Sequence, residues 1–135
     1  MDTPSPITVK IQGPSGPSPT QRTFAWLRAE GYHFDIVERR HPVLKHVSRD
    51  YLGIIDVVAV HPSRPVLGVQ STGSAFAAHL EKLTVTNARY SRIWLEGRGT
   101  ELLLIGWRRV KAERGKKPMV WKPRLKWITL EDLKG

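Results

Sequence analysis

The stretch that decides the fold is GIIDVVAV, at residues 53–60, followed after a short turn by VLGVQST at residues 66–72. Both stretches are almost continuously apolar and rich in β-branched side chains, which is typical of strands buried on both faces of a sheet. The intervening HPSRP contains two prolines and predicts a tight turn. We therefore expect an antiparallel hairpin that is covered on both faces.

Helices and further strands surround this hairpin. Apolar residues at helical spacing predict three helices, at residues 23–31, 74–85 and 88–97. Alternating or continuous apolar side chains predict three more strands, at residues 32–40, 100–110 and 119–130. The order predicts an α/β sandwich with a central mixed sheet of four to five strands flanked by helices. The first hairpins should be antiparallel, and the pair of helices should form a crossover.

Smaller features are expected at the element boundaries. Ser74 can cap the helix that begins there, and Pro123 should break the last strand. Residues 41–51 should form an irregular connection, and residues 111–118 a basic turn.

Length and composition indicate one domain behind an irregular tail. The chain has 135 residues, and residues 1–21 hold five of its ten prolines, so they predict an extended or poorly ordered tail before a domain at 22–135. The absence of cysteine excludes disulfide frameworks, thiol nucleophiles and iron–sulfur clusters, and it suits a reducing cytoplasm. No apolar run approaches the roughly 18–20 residues that span a bilayer, and the start has no signal-peptide core. We expect a cytoplasmic protein without a membrane partner.

Positive charge is concentrated near the C-terminus. The formal net charge is +10, which favours nucleic acid, an anionic membrane surface or an acidic protein as partner. A predicted basic hairpin at about 106–127 carries nine cationic residues against one acid, with three tryptophans among them. The cationic residues are Arg108, Arg109, Lys111, Arg114, Lys116, Lys117, Lys122, Arg124 and Lys126. Such a hairpin can follow phosphates while its indoles pack or stack on bases, although core tryptophans beneath a solvated charged face would give the same pattern.

Asp56 is the most unusual residue of the central hairpin, because a carboxylate inside a buried strand is costly unless something compensates its charge. A metal ion, a cationic side chain or a position at the strand edge could do so. The next strand places Gln70 and Thr72 on one face, and the turn would bring Asp56 beside Gln70. One carboxylate, one amide oxygen and the backbone carbonyl of Ser71 would then offer three hard oxygen ligands, which Mg²⁺ or Mn²⁺ prefers.

This arrangement resembles the PD-(D/E)XK nuclease superfamily, which has the restriction-endonuclease-like fold. The layout TFAWLRAEG, SRDYLGIIDVVAV, PVLGVQSTG, HLEKL and LIGWRR is similar to that of small phage and bacterial members resembling Holliday-junction resolvases, over about residues 22–130. The resemblance implies that Asp56 binds metal, that Gln70 stands at the position of the second acid, and that Thr72 stands at that of the motif lysine. The optional glutamate of the first helix corresponds most simply to Glu30.

The chain departs from the family pattern where glutamine replaces the second acid and threonine replaces the lysine. In this superfamily the lysine can come from the following helix, which favours Lys82, ten residues after Thr72. His79, one helical turn earlier, is a candidate general base. Glu38 and Asp50 flank the predicted hairpin and are candidates for the missing negative charge.

Each candidate also has an ordinary structural explanation. Asp56 could pair with an arginine at a strand end, and Gln70 could satisfy backbone groups in the core. Thr72 could be a packed strand residue, and Lys82 and His79 could simply face solvent on a helix.

The sequence therefore predicts a Mg²⁺- or Mn²⁺-dependent endonuclease that hydrolyses DNA, with branched or junction DNA as one candidate substrate and a homodimer as one candidate assembly. An alternative is a catalytically weak or inactive nuclease-fold protein that only binds nucleic acid, because the Gln-x-Thr variant weakens the site. A third hypothesis is a structural protein of a phage or mobile element with an incidental basic surface.

Overall fold

The fold is described by a computed structural model for residues 16–40, 42–44, 48–111 and 119–134. Most of the predicted tail lies outside these residues. In chain order the elements are α1 (Pro19–Ala29), β1 (His33–Ile36), β2 (Arg39–Arg40), β3 (Ser48–Arg49), β4 (Val57–His61), β5 (Arg64–Thr72), α2 (Phe76–Glu81), a π-helical turn (Lys82–Thr86), α3 (Ala88–Glu96), β6 (Thr100–Lys111), β7 (Met119–Ile128) and a 3-10 turn (Leu130–Asp132).

A five-stranded mixed sheet in the order β1-β4-β5-β6-β7 forms the centre of the fold. The pairs β1–β4, β4–β5 and β6–β7 are antiparallel, whereas β5 and β6 are parallel. α2 and α3 connect β5 to β6, as parallel neighbours require a crossover. The predicted α/β class, mixed sheet, antiparallel hairpins and helical crossover are confirmed. β2 and β3 form a separate two-stranded sheet that the sequence did not predict.

Helices cover both faces of the sheet. On one face, α1 buries Phe24 and Leu27 in a core that includes Val69. On the other face, Leu83 and Ile55 lie in a second core beneath the crossover. Fully burying each such side chain contributes about 1.5–3 kcal/mol. None of the described helices has the length and apolar character needed to cross a membrane.

α1 begins at Pro19, four residues before the predicted start, because its first turn is capped. The Ser18 hydroxyl accepts a hydrogen bond from the Gln21 N–H at 3.2 Å, and the Gln21 side chain accepts one from the Ser18 N–H at 3.0 Å. This capping box, with proline at the first helical position, fixes the start of a helix. The last three residues of the predicted tail are therefore helical.

The strand expected at residues 53–60 starts later, because the chain turns sharply before Asp56. Leu52 and Gly53 have positive φ angles of 57° and 72°. They close a turn in which Tyr51 and Ile55 form an isolated bridge. Asp56 therefore lies immediately before β4, with its N–H donating to the Val69 carbonyl of β5 at 2.9 Å.

Two further boundary predictions are wrong. Ser74 does not cap α2, which begins at Phe76 after Ala75 without a side-chain cap. Pro123 does not break β7, whose ladder runs from Met119 to Ile128. β7 is an edge strand, and such a strand tolerates proline because one of its sides has no ladder partner.

Candidate functional site

Four side chains from different elements meet at the end of β5. Asp56 precedes β4, Gln70 lies near the end of β5, Asp50 follows β3, and Lys82 begins the π-helical turn of the crossover. We call Asp50, Asp56, Gln70 and Lys82 the polar cluster.

The Gln70 amide links the two carboxylates of the polar cluster. Its Nε2 donates to Asp50 Oδ2 at 3.0 Å and to Asp56 Oδ2 at 3.2 Å. The Ser71 N–H also donates to Asp56 Oδ2, at 3.2 Å. The predicted placement of Asp56 beside Gln70 is confirmed, and it follows from the antiparallel register in which Val57 faces Val69.

Lys82 reaches this group through Asp50. Its Nζ lies 3.1 Å from Asp50 Oδ2, and both side chains are partly buried. Lys82 therefore lies in the cluster, as the displaced-lysine hypothesis requires, and Asp50 supplies the second carboxylate.

Two oxygens of the cluster have no hydrogen-bond donor in the part of the chain that the structure describes. Asp56 Oδ1 and Gln70 Oε1 are buried, and neither has a partner among the described residues. An unsatisfied buried polar group costs about 1–3 kcal/mol, and a charged group costs more. A carboxylate oxygen and an amide oxygen left without donors fit a hard cation, which interacts favourably with both.

Burial also changes the ionisation of Asp56. It raises the pKa of the Asp56 carboxyl to about 7, and the nearby charges of Asp50 and Glu38 add to the rise. The hydrogen bonds from Ser71 and Gln70 act in the opposite direction. A bound cation would favour the charged form of this carboxylate.

The donor set for such a cation is mixed. Among the described residues, no group of three or more His, Cys, Asp or Glu side chains is placed to hold a metal ion. The residues that could hold one are the carboxylates of Asp50 and Asp56 and the amide oxygen of Gln70. Oxygen donors of this kind suit Mg²⁺ or Mn²⁺.

Three other predicted residues lie around the cluster. Thr72 is 6% exposed and lies two residues beyond Gln70 on the same face of β5. Glu38 is exposed and close enough to Asp56 to influence its ionisation. Ser71 approaches through its N–H, while its hydroxyl lies 2.7 Å from the Thr23 hydroxyl. The proposed ligand role of the Ser71 carbonyl stays a prediction.

Two predicted residues have their described contacts elsewhere. Glu30 lies 3.6 Å from Arg64, at the opposite end of β5 from Gln70, roughly 20 Å along the strand. His79 Nδ1 hydrogen-bonds to the Ala75 carbonyl of its own helix at 2.9 Å. Among the described residues, neither side chain forms a hydrogen bond or ion pair with the polar cluster.

The described part of the basic hairpin lies next to this site. Gln70 is registered with Leu104, and every second residue of β6 shares its face, so Arg108 projects on the same side of the sheet. Arg124 pairs with Gly106 and projects there too. Lys122 is exposed and lies opposite Arg108 in the β6–β7 ladder. Arg109 is exposed on the other face of the sheet. The Lys126 ammonium lies 3.3 Å from the Asp132 carboxylate. The side chains of Lys111, Arg114, Lys116 and Lys117 lie outside the described residues.

The tryptophans divide between core and surface. Trp107 is 8% exposed, and its Nε1 donates to the Thr23 hydroxyl at 2.9 Å. Trp121 is half-buried, and Trp127 is 40% exposed. Packing therefore explains Trp107, whereas Trp121 and Trp127 have surface available for a partner.

Sequence reasoning missed two features near the cluster. Arg22, from the first turn of α1, lies over the Trp121 ring. Arg39 and Arg49 face each other across the β2–β3 ladder, beside a groove of about 420 Å³ that Asp50 also lines. Like charges directly opposite each other are destabilising, so an anion would stabilise this pair. No local sequence pattern predicts either feature, because both depend on contacts between segments that are distant in the sequence.

Chemically, the site joins oxygen donors for a hard cation to a lysine ammonium and a neighbouring surface rich in arginine. Such a combination can bind a metal ion and a phosphate ester side by side. Comparison of the chain with protein-family models, with curated proteins and with solved structures finds no match. What the site can do therefore follows from its own geometry.

Proposed function

We propose that this protein is a metal-dependent nuclease of the restriction-endonuclease-like fold that hydrolyses phosphodiester bonds of DNA. The observation that carries the proposal is the pair of buried oxygens, Asp56 Oδ1 and Gln70 Oε1, that have no donor among the described residues. They lie beside the Asp50–Lys82 ion pair. A purely structural polar cluster would be expected to satisfy these atoms.

The topology supports the same proposal. A helix, an antiparallel three-strand meander, a helical crossover and a parallel fourth strand follow each other in the order expected from the PD-(D/E)XK resemblance. The acid and the second polar residue also lie on neighbouring strands, as that pattern requires. Fold alone does not imply function, so the chemistry rests on the cluster.

The roles of the side chains follow from their contacts. Asp50, Asp56 and Gln70 would hold Mg²⁺ or Mn²⁺, and the metal when bound would supply Lewis-acid stabilisation and a more acidic water. Lys82 donates to Asp50, so its ammonium is held next to the metal ligands, where it can stabilise negative charge on a phosphate. Thr72 lies beyond Gln70 and cannot replace a lysine charge, which leaves Lys82 to supply it.

The surroundings suit a polyanionic substrate. Arg108, Lys122 and Arg124 are exposed on the face that carries Gln70, so a strand cleaved at the cluster can continue along them. A homodimer would present two such sites to two strands of branched DNA. The composition suits a reducing cytoplasm, in a bacterium or a phage-infected cell.

A nuclease assay tests this proposal. Linear, circular, single-stranded and four-way-junction DNA should be incubated with the protein in Mg²⁺, in Mn²⁺ and in EDTA. Cleavage of at least one substrate with metal, and none in EDTA, is the expected result. Asp56→Asn should abolish cleavage, whereas the matched variant Asp35→Asn, on exposed edge strand β1, should not. Equal cleavage by wild type and a folded Asp56→Asn protein would overturn the assignment.

A second candidate is a protein that binds DNA without cutting it. The observation in its favour is that the Gln70 amide, and not a carboxylate, lies between Asp50 and Asp56. An amide oxygen carries no net charge, so it attracts a divalent cation less strongly than a carboxylate does. Metal-independent, salt-sensitive DNA binding without cleavage of any of the four substrates would support this candidate.

A further inference from the structure

A groove of about 520 Å³ crosses the end of β5 between the starts of α1 and α2. We call it the arginine groove. Among the residues that line it are Pro19, Phe76, Trp107, Arg109, Trp121 and Arg124. Its walls combine aromatic rings with guanidinium groups, so a ligand there would meet flat apolar surfaces and positive charge together.

Three arginines at this groove lie over aromatic rings: Arg109 and Arg124 line it, and Arg22 adjoins it through the lining residue Trp121. The guanidinium carbon of Arg22 lies 4.2 Å from the centre of the Trp121 ring, and that of Arg109 lies 5.8 Å from the same ring. Arg124 lies 4.1 Å from the centre of the Phe76 ring. Stacking on a ring orders a guanidinium while leaving its N–H edge available for an anion.

The charge of these arginines is not compensated within the described part of the chain. No acidic side chain is among the described residues that line the groove, and Arg22, Arg109 and Arg124 form no ion pair with described residues. Arg22 Nε is buried without a hydrogen-bond partner there. Burial, and then the charge of Arg109, lower the pKa of the Arg22 guanidinium. A bound anion would compensate the positive charge of all three arginines.

The groove begins close to the polar cluster along the chain. Gly73, which follows directly after β5, lines it, and Gln70 lies three residues earlier, roughly 10 Å along the chain. Gly106 completes the floor, because a Cβ there would lie 2.6 Å from Phe76 Cδ1 and displace the ring under Arg124. A strand that occupies the groove can therefore reach the cluster within one or two nucleotides.

We propose that the arginine groove binds unpaired nucleotides of the substrate, with phosphates on Arg109 and Arg124, which line it from opposite faces of the sheet, and on the adjoining Arg22, and with a base against the guanidinium plane of Arg124. The groove has the volume of a site for one small ligand, so it receives a single strand and not a duplex. Bases of single strands stack on aromatic and guanidinium planes in this way. The inference rests on the proposed nuclease function and narrows its substrate to DNA with a single-stranded segment beside the cleavage point.

Fluorescence anisotropy in EDTA tests the groove independently of cleavage. The probes are a labelled dT12 oligonucleotide and a labelled blunt 12-base-pair duplex. The expected result is that dT12 binds more tightly than the duplex, and that Arg22→Gln with Arg124→Gln weakens dT12 binding about tenfold, with a much smaller effect on the duplex. The matched control, Arg89→Gln with Arg92→Gln on α3, should leave dT12 binding unchanged.

A second variant separates stacking from charge. Arg124→Lys keeps the positive charge but loses the planar group, so it should weaken dT12 binding while leaving its salt dependence unchanged. Equal loss of dT12 and duplex binding in the double variant, or unchanged dT12 binding by Arg124→Lys, would overturn the groove assignment.

The two proposals fail in different ways. Asp56→Asn should bind dT12 as wild type does. Metal-dependent cleavage with arginine-independent dT12 binding would overturn the groove and leave the nuclease standing. Arginine-dependent dT12 binding without cleavage of any DNA would support the groove and overturn the nuclease.

Discussion

The Gln70 amide nitrogen lies 3.2 Å from Asp56 Oδ2, yet the other oxygen of each group, Gln70 Oε1 and Asp56 Oδ1, has no donor among the described residues. The amide nitrogen of Gln70 and one carboxylate oxygen of Asp56 are therefore hydrogen-bonded, while the amide oxygen and the other carboxylate oxygen lack a partner among the described side chains. A divalent cation would supply that partner.

Gln70→Glu should bind Mn²⁺ more tightly than the wild type, because it adds a third carboxylate to the ligand set. The same change removes the N–H groups that Gln70 donates to Asp50 and Asp56 at 3.0 and 3.2 Å, so the metal-free variant should be less stable by about 1–3 kcal/mol. Calorimetric titration with Mn²⁺ and urea unfolding in EDTA measure the two effects. Weaker Mn²⁺ binding by the variant would show that Gln70 is not a ligand.

Lys82→Met should slow cleavage at saturating DNA by about 10²–10³-fold, the usual effect of losing one group that stabilises transition-state charge. DNA affinity should change little, since Lys82 is partly buried against Asp50. Lys134→Met, which removes an exposed lysine, is the matched control. If both variants cleave at the wild-type rate, Lys82 has no part in the chemistry.

The stability of the metal-free protein should fall between pH 4 and pH 7. Burial raises the pKa of Asp56 to about 7, so the folded state retains a proton that the unfolded state releases near pH 4. Below pH 4 Asp56 is protonated in both states, so its burial does not lower the free energy of unfolding. Above pH 7 the carboxylate is charged in both states, and its burial lowers the free energy of unfolding by an amount on the order of 4 kcal/mol.

Urea unfolding in EDTA at pH 5 and pH 8 measures this effect. Asp56→Asn should lose that part of the pH dependence, whereas Asp35→Asn should retain it. Identical pH profiles for wild type and Asp56→Asn would contradict a strained carboxyl at this position.

Arg108 and Lys122 face each other on neighbouring strands, and both are exposed. If they contact phosphates, changing both to glutamine should reduce the slope of log affinity against log salt by up to about 2, similarly for every duplex sequence. Changing Arg89 and Arg92 together gives the control. An unchanged slope would mean that this surface is only solvated. The same measurement on Lys116→Gln with Lys117→Gln tests the basic turn predicted from sequence.

Much of the fold was predictable because hydrophobic periodicity reports burial directly. β5 and β6 are buried on both faces, and their continuous apolar runs were clear. The start of β4 was not, because a left-handed turn at Leu52 and Gly53 interrupts a run that looks continuous in the sequence. Short strands such as β2 carry too few residues to show a period.

The part of the site that one hairpin forms was predictable from the sequence. The spacing of Asp56 and Gln70 along two paired strands brought them together, as expected. The spacing after Thr72 already favoured Lys82, but its contact with Asp50, 32 positions earlier in the sequence, required the fold. His79, on the same crossover, hydrogen-bonds to Ala75. Arg22 had no signal at all, because its partner Trp121 is 99 positions away in the sequence.

Anomalous difference density of Mn²⁺, in crystals of the protein grown or soaked with the metal, shows directly whether the polar cluster binds a metal ion. A metal site there predicts a peak at bonding distance from the oxygens of Asp56, Gln70 and Asp50, and the loss of that peak in Asp56→Asn. An ordered polar cluster without a peak at saturating Mn²⁺, or a peak that persists in Asp56→Asn, would mean that the cluster is not a metal site.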